Sequence, residues 1–541
     1  MSATDCTPVT ASIEAPSDAA SVRNRRKVLC VFPGYTPSFG TFEYAYPIKG
    51  RVFAFMPPQG ILVVAAYLPK AWEVRFVDEN IRRVKDSEFA WADAVFVSGM
   101  HIQRQQILGI NERAHRFGKP TVLGGPSVSG CPDHYPDFDY IHVGELGDAT
   151  DRLIALLDRD VSRPPHQIRC ETTERKPLSE FPIPAYHLAK LDRYFLGNVQ
   201  FSSGCPYRCE FCDIPALYGR NPRLKSPQQV TAEIDAMLEH GNLGSVYFVD
   251  DNFIGNRKAA RELVAHLVDW QKARGYPIEF ACEATLNIAK YPELLAMMRE
   301  ALFCTIFCGI ETPEVDALHA MAKDHNTTMP ILEAIQILNS FGMEVVSGII
   351  LGLDTDTPET PARILDFIRR SQIPMLTINL LQALPRTPLW DRLASEGRLN
   401  EDQSRESNVE FRLPYGEVVA AWRHCISEAY QPEALYRRYA YNVEHTYPNR
   451  LKPPASPARA SWANVRKGIR VMANLVLRVG LLADYRDVFW RMAAPLLREG
   501  RIEDVIRVGL AAHHLITFAR KAAEGAHNAS FYSSNSRRPA W

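Results

Sequence analysis

Short apolar stretches alternate with amphipathic helical stretches between about residues 25 and 160 of the chain. The apolar stretches are residues 28–32, 74–77, 94–97, 121–123 and 140–143. Helix-like segments, such as residues 60–68 and 105–117, lie between them. Short continuous apolar strands that alternate with helices predict a parallel, doubly wound α/β sheet.

Six further apolar stretches, each followed by a helical pattern, occupy about residues 194–400. They are residues 199–203, 245–250, 278–283, 304–311, 344–351 and 376–383. One intervening helix is well marked, because Ser226 can cap it, Pro227 suits its first turn and Gly241 can end it. Since full closure usually takes eight βα units, six of them predict a partial (β/α)6 barrel that is open on one side.

The same pattern predicts the domain organisation. We expect a disordered tail at 1–24, a doubly wound domain at 25–160, a linker at 161–193, the barrel at 194–400, a helical C-terminal domain at 401–528 and a disordered tail at 529–541. The linker is predicted from its prolines, which favour an extended connection over a core element.

Composition narrows the function classes. The formal net charge of the 541 residues is zero, so no global field favours nucleic acid, and we expect no nucleic-acid partner. The first residues lack the apolar core of a signal peptide, and no apolar run approaches the roughly 20 residues that cross a bilayer. We therefore expect a cytoplasmic, reducing location, in which clustered cysteines are metal or redox groups rather than disulfides.

Three cysteines lie within eight residues: Cys205, Cys209 and Cys212. Thiolates are soft ligands that suit zinc or iron–sulfur clusters. A structural zinc site normally takes four ligands, and no second C-x-x-C occurs in the sequence. Three ligands on one loop indicate a 4Fe–4S cluster with one iron left open, although a zinc site completed by a distant His or Cys is the alternative.

The stretch GCPYRCEFC after a strand, in a chain of six βα units, resembles the radical S-adenosylmethionine (SAM) superfamily. The resemblance implies that the three cysteines are catalytic and hold a 4Fe–4S cluster whose open iron binds SAM and cleaves it to a 5′-deoxyadenosyl radical. It also implies that SAM contacts Phe211, which directly precedes Cys212, and residues at or near the strand ends: Asp250, Asp251, Asn252, Glu283, Glu311, Gly348 and Gly352. The Gly-Gly-Glu that is common in the family is absent here, and Asp250-Asp-Asn stands in its place.

The glycine-rich loops of the first domain resemble the cobalamin-binding domain that is fused to many radical SAM enzymes. The residues implied to contact cobalamin are Ser98, Gly99, His101, Gly124, Gly125, Ser127, Gly144 and Glu145. The D-x-H-x-x-G motif, whose histidine binds cobalt in many cobalamin proteins, is missing after the first strand. Either the cobalt has no protein imidazole, which we favour, or His101 supplies one.

A radical generator beside a methyl carrier predicts methyl transfer to an unactivated carbon. Over about residues 25–520 the layout resembles bacterial enzymes that methylate C-2 of the A ring of hopanoid lipids. This resemblance implies a hopanoid lipid substrate and an electron donor such as ferredoxin or flavodoxin.

The C-terminal region adds a question about membranes. Arg466, Lys467, Arg470 and Arg478, interleaved with Val471, Leu475, Val476 and Leu477, form either a basic amphipathic helix on the inner face of a membrane or a helix packed over the barrel opening. We favour the second arrangement and keep a peripheral membrane contact as the other.

Three other functions stay open at this point. The first is a cobalamin-dependent radical SAM enzyme that modifies a peptide, an antibiotic or a pigment precursor. The second is a tRNA-modifying radical SAM enzyme, which is disfavoured because such enzymes carry an extra N-terminal cysteine set and a C-terminal β-domain. The third is a non-catalytic zinc-binding module.

Overall fold

The computed structural model describes residues 24–400, 402, 405–454 and 462–525. Apart from Asn24, the two predicted disordered tails, 1–24 and 529–541, lie outside the described residues.

The first sheet is parallel and has the strand order β2-β1-β3-β4-β5-β6. Its strands are β1 (Lys27–Phe32), β2 (Glu73–Asp78), β3 (Ala94–Ser98), β4 (Thr121–Gly124), β5 (Tyr140–Val143) and β6 (Ile168–Glu171). Its helices are α1 (Tyr46–Lys49), α2 (Gln59–Tyr67), α3 (Asp86–Trp91), α4 (Arg104–Arg116), α5 (Pro126–Gly130) and α6 (Asp148–Arg159). One apolar cluster, with Val28 and Phe96, covers one face, and another, with Leu29 and Val95, covers the other. The prediction of a doubly wound sheet is confirmed.

One prediction in this region was wrong. The segment 161–193, predicted to be only a linker, contains β6, which pairs in parallel with β5. Cys170 is the buried residue of this four-residue edge strand, while its neighbours are half-buried or exposed. A polar edge strand carries too little apolar pattern to be recognised among prolines.

The second sheet is also parallel, with the order β14-β13-β12-β11-β10-β7. The strands of this region are β7 (Gly197–Val199), β8 (Ser202–Ser203), β9 (Arg223–Leu224), β10 (Ser245–Phe248), β11 (Glu279–Glu283), β12 (Phe303–Glu311), β13 (Glu344–Leu351) and β14 (Met375–Leu380). The helices are α7 (Ile214–Leu217), α8 (Pro227–His240), α9 (Arg257–Arg274), α10 (Pro292–Glu300), α11 (Val315–Ala320), α12 (Ile331–Ser340), α13 (Thr360–Ser371) and α14 (Pro388–Ser395). Since β7 and β14 lie at opposite ends of the order, the predicted open (β/α)6 barrel is confirmed.

The first barrel strand differs from its prediction. Residues 199–203 were expected to form one strand, but β7 ends at Val199, and β8 instead pairs antiparallel with β9. The strands β8 and β9 form a short two-stranded ribbon. The loop that carries Cys205, Cys209 and Cys212, here called the cysteine loop, lies between these two strands. The helix predicted at 226–241 is confirmed as α8, and the Ser226 side chain caps it by accepting a hydrogen bond from the Gln229 N–H.

The C-terminal region is helical, as predicted. Its helices are α15 (Tyr415–Ala429), α16 (Pro432–His445), α17 (Trp462–Leu475), α18 (Arg486–Arg498) and α19 (Ile502–Ala523), and a π-helical segment, Val476–Leu481, continues α17. These helices pack on the barrel, where the Trp422 indole N–H donates to the Ile378 carbonyl at 2.8 Å. Among the described residues, no helix combines the length and the apolar character needed to cross a bilayer.

Candidate active site

A cavity of about 790 Å³ lies where the three regions meet. The first sheet contributes loop residues at the carboxyl ends of its strands, which include Ser98, Gly99, Gly124, Gly125, Gly144 and Glu145. The barrel contributes Asn198, Thr377 and Asn379, and the C-terminal helices contribute Trp422, Phe518 and Ala522. Six of the eight residues predicted to contact cobalamin therefore line one wall of this cavity. They lie at the carboxyl ends of the strands, which is where open parallel α/β sheets bind ligands.

Two glycines let the backbone itself form that wall. Gly125 and Gly144 have φ values of 93° and 102°, a conformation that favours glycine. A Cβ atom at Gly125 would lie 2.6 Å from the Ser98 Oγ. The wall is therefore free of bulky side chains at these points, and a broad, flat cofactor can approach the backbone closely.

The other two predicted residues, His101 and Ser127, lie outside this wall. The Ser127 hydroxyl hydrogen-bonds to the Tyr135 hydroxyl and lies 3.3 Å from His101 Nδ1. Burial lowers the pKa of His101 to about 4, so this imidazole is neutral at physiological pH. The cavity wall contains His142 instead, whose Nε2 lies 2.9 Å from the Thr150 hydroxyl. His142 lies inside the apolar strand β5, so the hydrophobic pattern did not single it out as a site residue.

The three clustered cysteines differ from the rest in exposure. Cys205, Cys209 and Cys212 are half-buried, whereas the other cysteines that the structure describes are all buried. Their loop is pinned by backbone hydrogen bonds from the Cys205 N–H to the Gly219 carbonyl and from the Cys212 N–H to the Cys209 carbonyl, both at 3.2 Å. Within the described parts of the chain, no group of three or more His, Cys, Asp or Glu side chains is arranged to hold a single metal ion.

The thiols are protonated without a metal. Burial raises the pKa of Cys212 to about 12, and burial also raises the pKa of Cys205 and Cys209. The Lys323 ammonium acts in the opposite direction on Cys205 and Cys209. Metals bind the thiolate form, so loading this loop releases protons.

Lys323 is a site residue that the sequence reasoning missed. Its Nζ lies 2.7 Å from Glu311 Oε1 in a largely buried ion pair and 5.4 Å from the centre of the Phe211 ring. Burial alone would lower the pKa of Lys323, but Glu311 and the cysteines together leave it raised. Lys323 follows α11 in a loop, away from any strand end, so position in the sequence did not mark it.

Glu311 ends β12 in an unusual backbone conformation. Its φ of 65° lies in the left-handed region, which is costly for a residue with a side chain. A Cβ atom at Gly309 would lie 2.5 Å from Glu311 Oε1, and one at Gly348 would lie 3.3 Å from Oε2. These two glycines therefore make room for the carboxylate, and the structure brings Glu311 and Gly348 together as predicted. A Cβ atom at Gly352 would instead lie 2.4 Å from Phe411, so Gly352 faces that ring.

The acidic residues after β10 hold the cysteine loop and its ribbon. Asp250 accepts hydrogen bonds from the backbone N–H groups of Phe201 and Ser202, and Asp251 accepts one from Gly204 at 2.7 Å. Burial raises the pKa of Asp250 to about 7 and that of Asp251 to about 6. Their carboxylates are thus used to position backbone around the cysteines.

Polar atoms without partners lie beside this loop. Among the described residues, the buried atoms Asn252 Nδ2, His325 Nε2 and Asn326 Oδ1 have no hydrogen-bond partner. His325 also stacks on Tyr207, two residues after Cys205, with ring centroids 3.8 Å apart. Because buried polar groups are normally satisfied by protein, water or ligand, these atoms leave hydrogen-bonding capacity for a polar ligand or water next to the cysteine loop. Glu283, predicted to face this ligand, accepts a hydrogen bond from the Tyr247 hydroxyl at 3.1 Å.

Glu145 connects the glycine-rich loops of the first domain to the ribbon of β8 and β9. Its carboxylate accepts hydrogen bonds from Arg223 on β9 and, at 3.1 Å, from the Ser203 hydroxyl on β8. Arg175 lies 3.2 Å from the same carboxylate. A loop of the first sheet is therefore tied directly to the ribbon that carries the cysteine loop.

Comparison with known proteins identifies the family. Residues 199–368 match the model of the Radical SAM superfamily, and residues 387–528 match a domain of unknown function, DUF4070. The hopanoid C-2 methylase of Rhodopseudomonas palustris (strain TIE-1) is 61% identical over 515 residues, which span 95% of this chain and 98% of that protein. The chain belongs to the hopanoid C-2 methylase family. This confirms the predicted radical SAM class.

Two solved structures share the fold of this hopanoid C-2 methylase family member. One is the radical SAM methyltransferase TsrM from Kitasatospora setae with cobalamin and a [4Fe-4S] cluster bound, at 17% identity and a TM-score of 0.55 over 69% of this chain and 78% of that chain. The other is the cobalamin-dependent radical SAM enzyme OxsB with aqua-cobalamin and SAM bound, at 15% identity and a TM-score of 0.57 over 92% of this chain and 80% of that chain. The predicted succession of a doubly wound domain and a partial barrel is therefore a known architecture.

The site of this family member fits the cofactors of a radical SAM enzyme. Three half-exposed thiols on one loop suit a cluster that binds each thiolate at a separate iron. The unpartnered polar atoms of Asn252, His325 and Asn326 suit SAM, which is polar at both of its ends.

Proposed function

We propose that this protein is a radical SAM C-methyltransferase that adds a methyl group to C-2 of the A ring of hopanoid lipids and uses cobalamin as the methyl carrier. The single observation that carries the proposal is the cavity itself. It joins the backbone wall formed at Gly125 and Gly144 of the first domain, the barrel interior, and a wall of the aromatic side chains Trp422 and Phe518 from the C-terminal helices.

The aromatic wall supports an apolar, polycyclic substrate. Trp422 and Phe518 contribute to it, and Phe39 packs edge-on against Phe518 with ring centroids 4.5 Å apart. Apolar cavities of several hundred Å³ with a few polar groups are typical of small-molecule sites. The polar groups of Asn198, Thr377 and Asn379 lie on the barrel side, where they can orient such a substrate.

The glycine wall supports cobalamin. The bare backbone at Gly125 and Gly144 and the small side chain of Ser98 leave space for a flat macrocycle. His101 lies outside the wall, which supports the prediction that the cobalt has no imidazole from this residue. His142 is the imidazole in the wall, and its Nε2 is engaged by Thr150.

The cysteine side of the site supports the radical step. When bound, the cluster and SAM supply a carbon-centred radical that takes a hydrogen atom from the substrate, and cobalamin supplies the methyl group that replaces it. Cys205, Cys209 and Cys212 would hold the cluster, while Asp250 and Asp251 keep their loop in place through the backbone of residues 201–204. Lys323 and Glu311 place a matched pair of charges beside the loop.

The reaction needs electrons and a lipid from outside the protein. We propose that a ferredoxin or a flavodoxin supplies the electrons for SAM cleavage. We also propose that the protein works at the inner face of the cytoplasmic membrane, where a hopanoid substrate is embedded.

Gene deletion with lipid profiling tests the proposed function. In a hopanoid-producing host, removing the gene should abolish 2-methylhopanoids, and the wild-type gene should restore them. Cys209→Ala should fail to restore them, whereas the matched control Cys170→Ala, which changes a buried cysteine of β6, should succeed. Unchanged methylated hopanoids in the deletion strain would overturn the assignment of the substrate.

A further inference from the structure

The surface of α17 and its π-helical continuation is unusually apolar for an exposed helix. Its exposed apolar side chains, here called the apolar stripe, are Trp462, Val465, Ile469, Leu477, Leu481 and Leu482. Trp462 and Leu482 are 71% and 72% exposed. Elsewhere in the described residues, exposed large apolar side chains such as Val315 and Ile502 are far apart in sequence. A concentration of this kind marks an interaction surface.

Positive charges accompany the stripe. Arg466, Lys467, Arg470 and Arg478 lie among its residues, and residues 462–483 contain no Asp or Glu. None of the four forms an ion pair with another residue that the structure describes. Lys467 donates to the Asn242 carbonyl at 3.4 Å, which leaves its charge uncompensated. The surface around the apolar stripe is therefore basic, although the formal net charge of the whole chain is zero.

The opposite side of the helix is firmly packed. Val471 and Leu475 are buried in the main core, and a Cβ atom at Gly509 of α19 would lie 2.8 Å from Leu475. The Asn474 side chain donates to the Ile48 carbonyl at 3.1 Å. The helix thus holds the stripe in a fixed orientation, and it rests on a segment whose flanking residues Phe39 and Phe55 line the cavity.

We propose that the apolar stripe and its four basic residues dock this protein on the surface of an anionic lipid bilayer. Apolar side chains that enter the interface, together with Lys and Arg that pair with lipid phosphates, are the requirements for peripheral helix binding. A second copy of the chain is a poorer partner, because a symmetric contact would bring two identical basic surfaces together, and residues 462–483 contain no acidic side chain to offset their repulsion. The inference deepens the proposed function, on which its biological purpose rests, since docking brings the cavity next to a membrane-embedded substrate.

Vesicle sedimentation tests the docking surface. The full chain should bind vesicles of phosphatidylcholine and phosphatidylglycerol at least about tenfold more tightly than vesicles of phosphatidylcholine alone, and salt should weaken the binding. The variants Ile469→Ser/Leu481→Ser/Leu482→Ser and Arg466→Gln/Arg470→Gln/Arg478→Gln should each lose about tenfold or more in affinity. The matched control Val315→Ser/Ile502→Ser, which changes apolar residues that are each 51% exposed, should bind like the wild type.

Three outcomes would overturn the inference. The wild type could leave anionic vesicles unbound, the two triple variants could bind like the wild type, or light scattering could show a wild-type dimer that the triple variants dissociate. Methylation of a detergent-dispersed hopanoid separates this inference from the proposed function. Triple variants that methylate the dispersed substrate but not the vesicle-embedded one support docking. A wild type that binds vesicles but methylates no hopanoid contradicts the proposed function and leaves the docking surface standing.

Discussion

At the scale of single residues, the cysteine loop depends on neighbours that the sequence motif does not contain. The spacing of Cys205, Cys209 and Cys212 was enough to predict a cluster site, but the buried pair of Glu311 and Lys323 was found only in the structure. Lys323 lies twelve positions after Glu311, so their contact depends on how the loop after α11 folds back. Local patterns predict which residues end a strand, but they do not predict which loop side chain will meet them.

Lys323→Met tests whether that pair serves the site or only the fold. Removing one partner leaves a buried Glu311 carboxylate unpaired, which should lower the free energy of unfolding by about 3 kcal/mol. The double variant Glu311→Gln/Lys323→Met should recover most of that stability, as measured by chemical denaturation. SAM cleavage should stay low in both variants, and full cleavage by the stable double variant would show that the pair is only structural.

Glu283 predicts a pH dependence of stability. Burial raises the pKa of this carboxyl from its usual 4.5 to about 7. Between these values the folded protein keeps a proton that the unfolded chain has lost, so the contribution of Glu283 to stability falls as the pH rises through this range. Glu283→Gln, which can still accept from Tyr247, should therefore raise the melting temperature at about pH 8, and the gain should shrink towards about pH 5. The exposed Glu239→Gln serves as the control, and an equal gain at both pH values would contradict the argument.

At the scale of elements, the periodic pattern predicted almost every strand of both sheets, because buried parallel strands are apolar along their whole length. It failed where an element lies at an edge. Strand β6 has only Cys170 buried, and the ribbon of β8 and β9 has two residues in each strand, too few for a period to show. This ribbon nevertheless carries the cysteine loop, and Glu145 of the first domain holds it through Arg223.

Arg223→Leu tests this connection between elements. Loss of a largely buried, charge-assisted contact should lower the free energy of unfolding by about 2 kcal/mol and should let the cluster bleach faster in air. Arg169→Leu removes an arginine whose pair with Glu171 is exposed on both sides, and it should change neither quantity. Equal bleaching rates in Arg223→Leu and the wild type would show that Glu145 does not steady the loop.

At the scale of the whole molecule, the cavity is lined by all three regions, and this arrangement was not predictable from the sequence. Phe39 and Phe518 are 479 positions apart, yet their rings touch beside the cavity. The region from 387 to 528 matches a domain of unknown function. It contributes the side chains of Trp422 and Phe518 to the cavity lining.

Phe518→Ala tests whether the C-terminal region helps to bind the substrate in the cavity. The change enlarges the apolar end of the cavity, so it should raise the KM for the hopanoid at least about tenfold while leaving SAM cleavage intact. Phe489→Ala is the matched control, because Phe489 is buried in the same helical region but does not line the cavity. Both variants should lose about 3 kcal/mol of stability. An equal rise in KM for both would mean that the effect comes from lost stability rather than from the wall.

The most direct test of the central claim is an anaerobic reaction of the reconstituted enzyme with cobalamin, a reductant, a hopanoid and SAM that carries an isotope in its methyl group. We expect a hopanoid labelled at C-2 together with 5′-deoxyadenosine from the wild type, and neither product from Cys209→Ala. Labelled product from Cys209→Ala, or a wild-type protein that holds zinc in place of iron and sulfide, would contradict it.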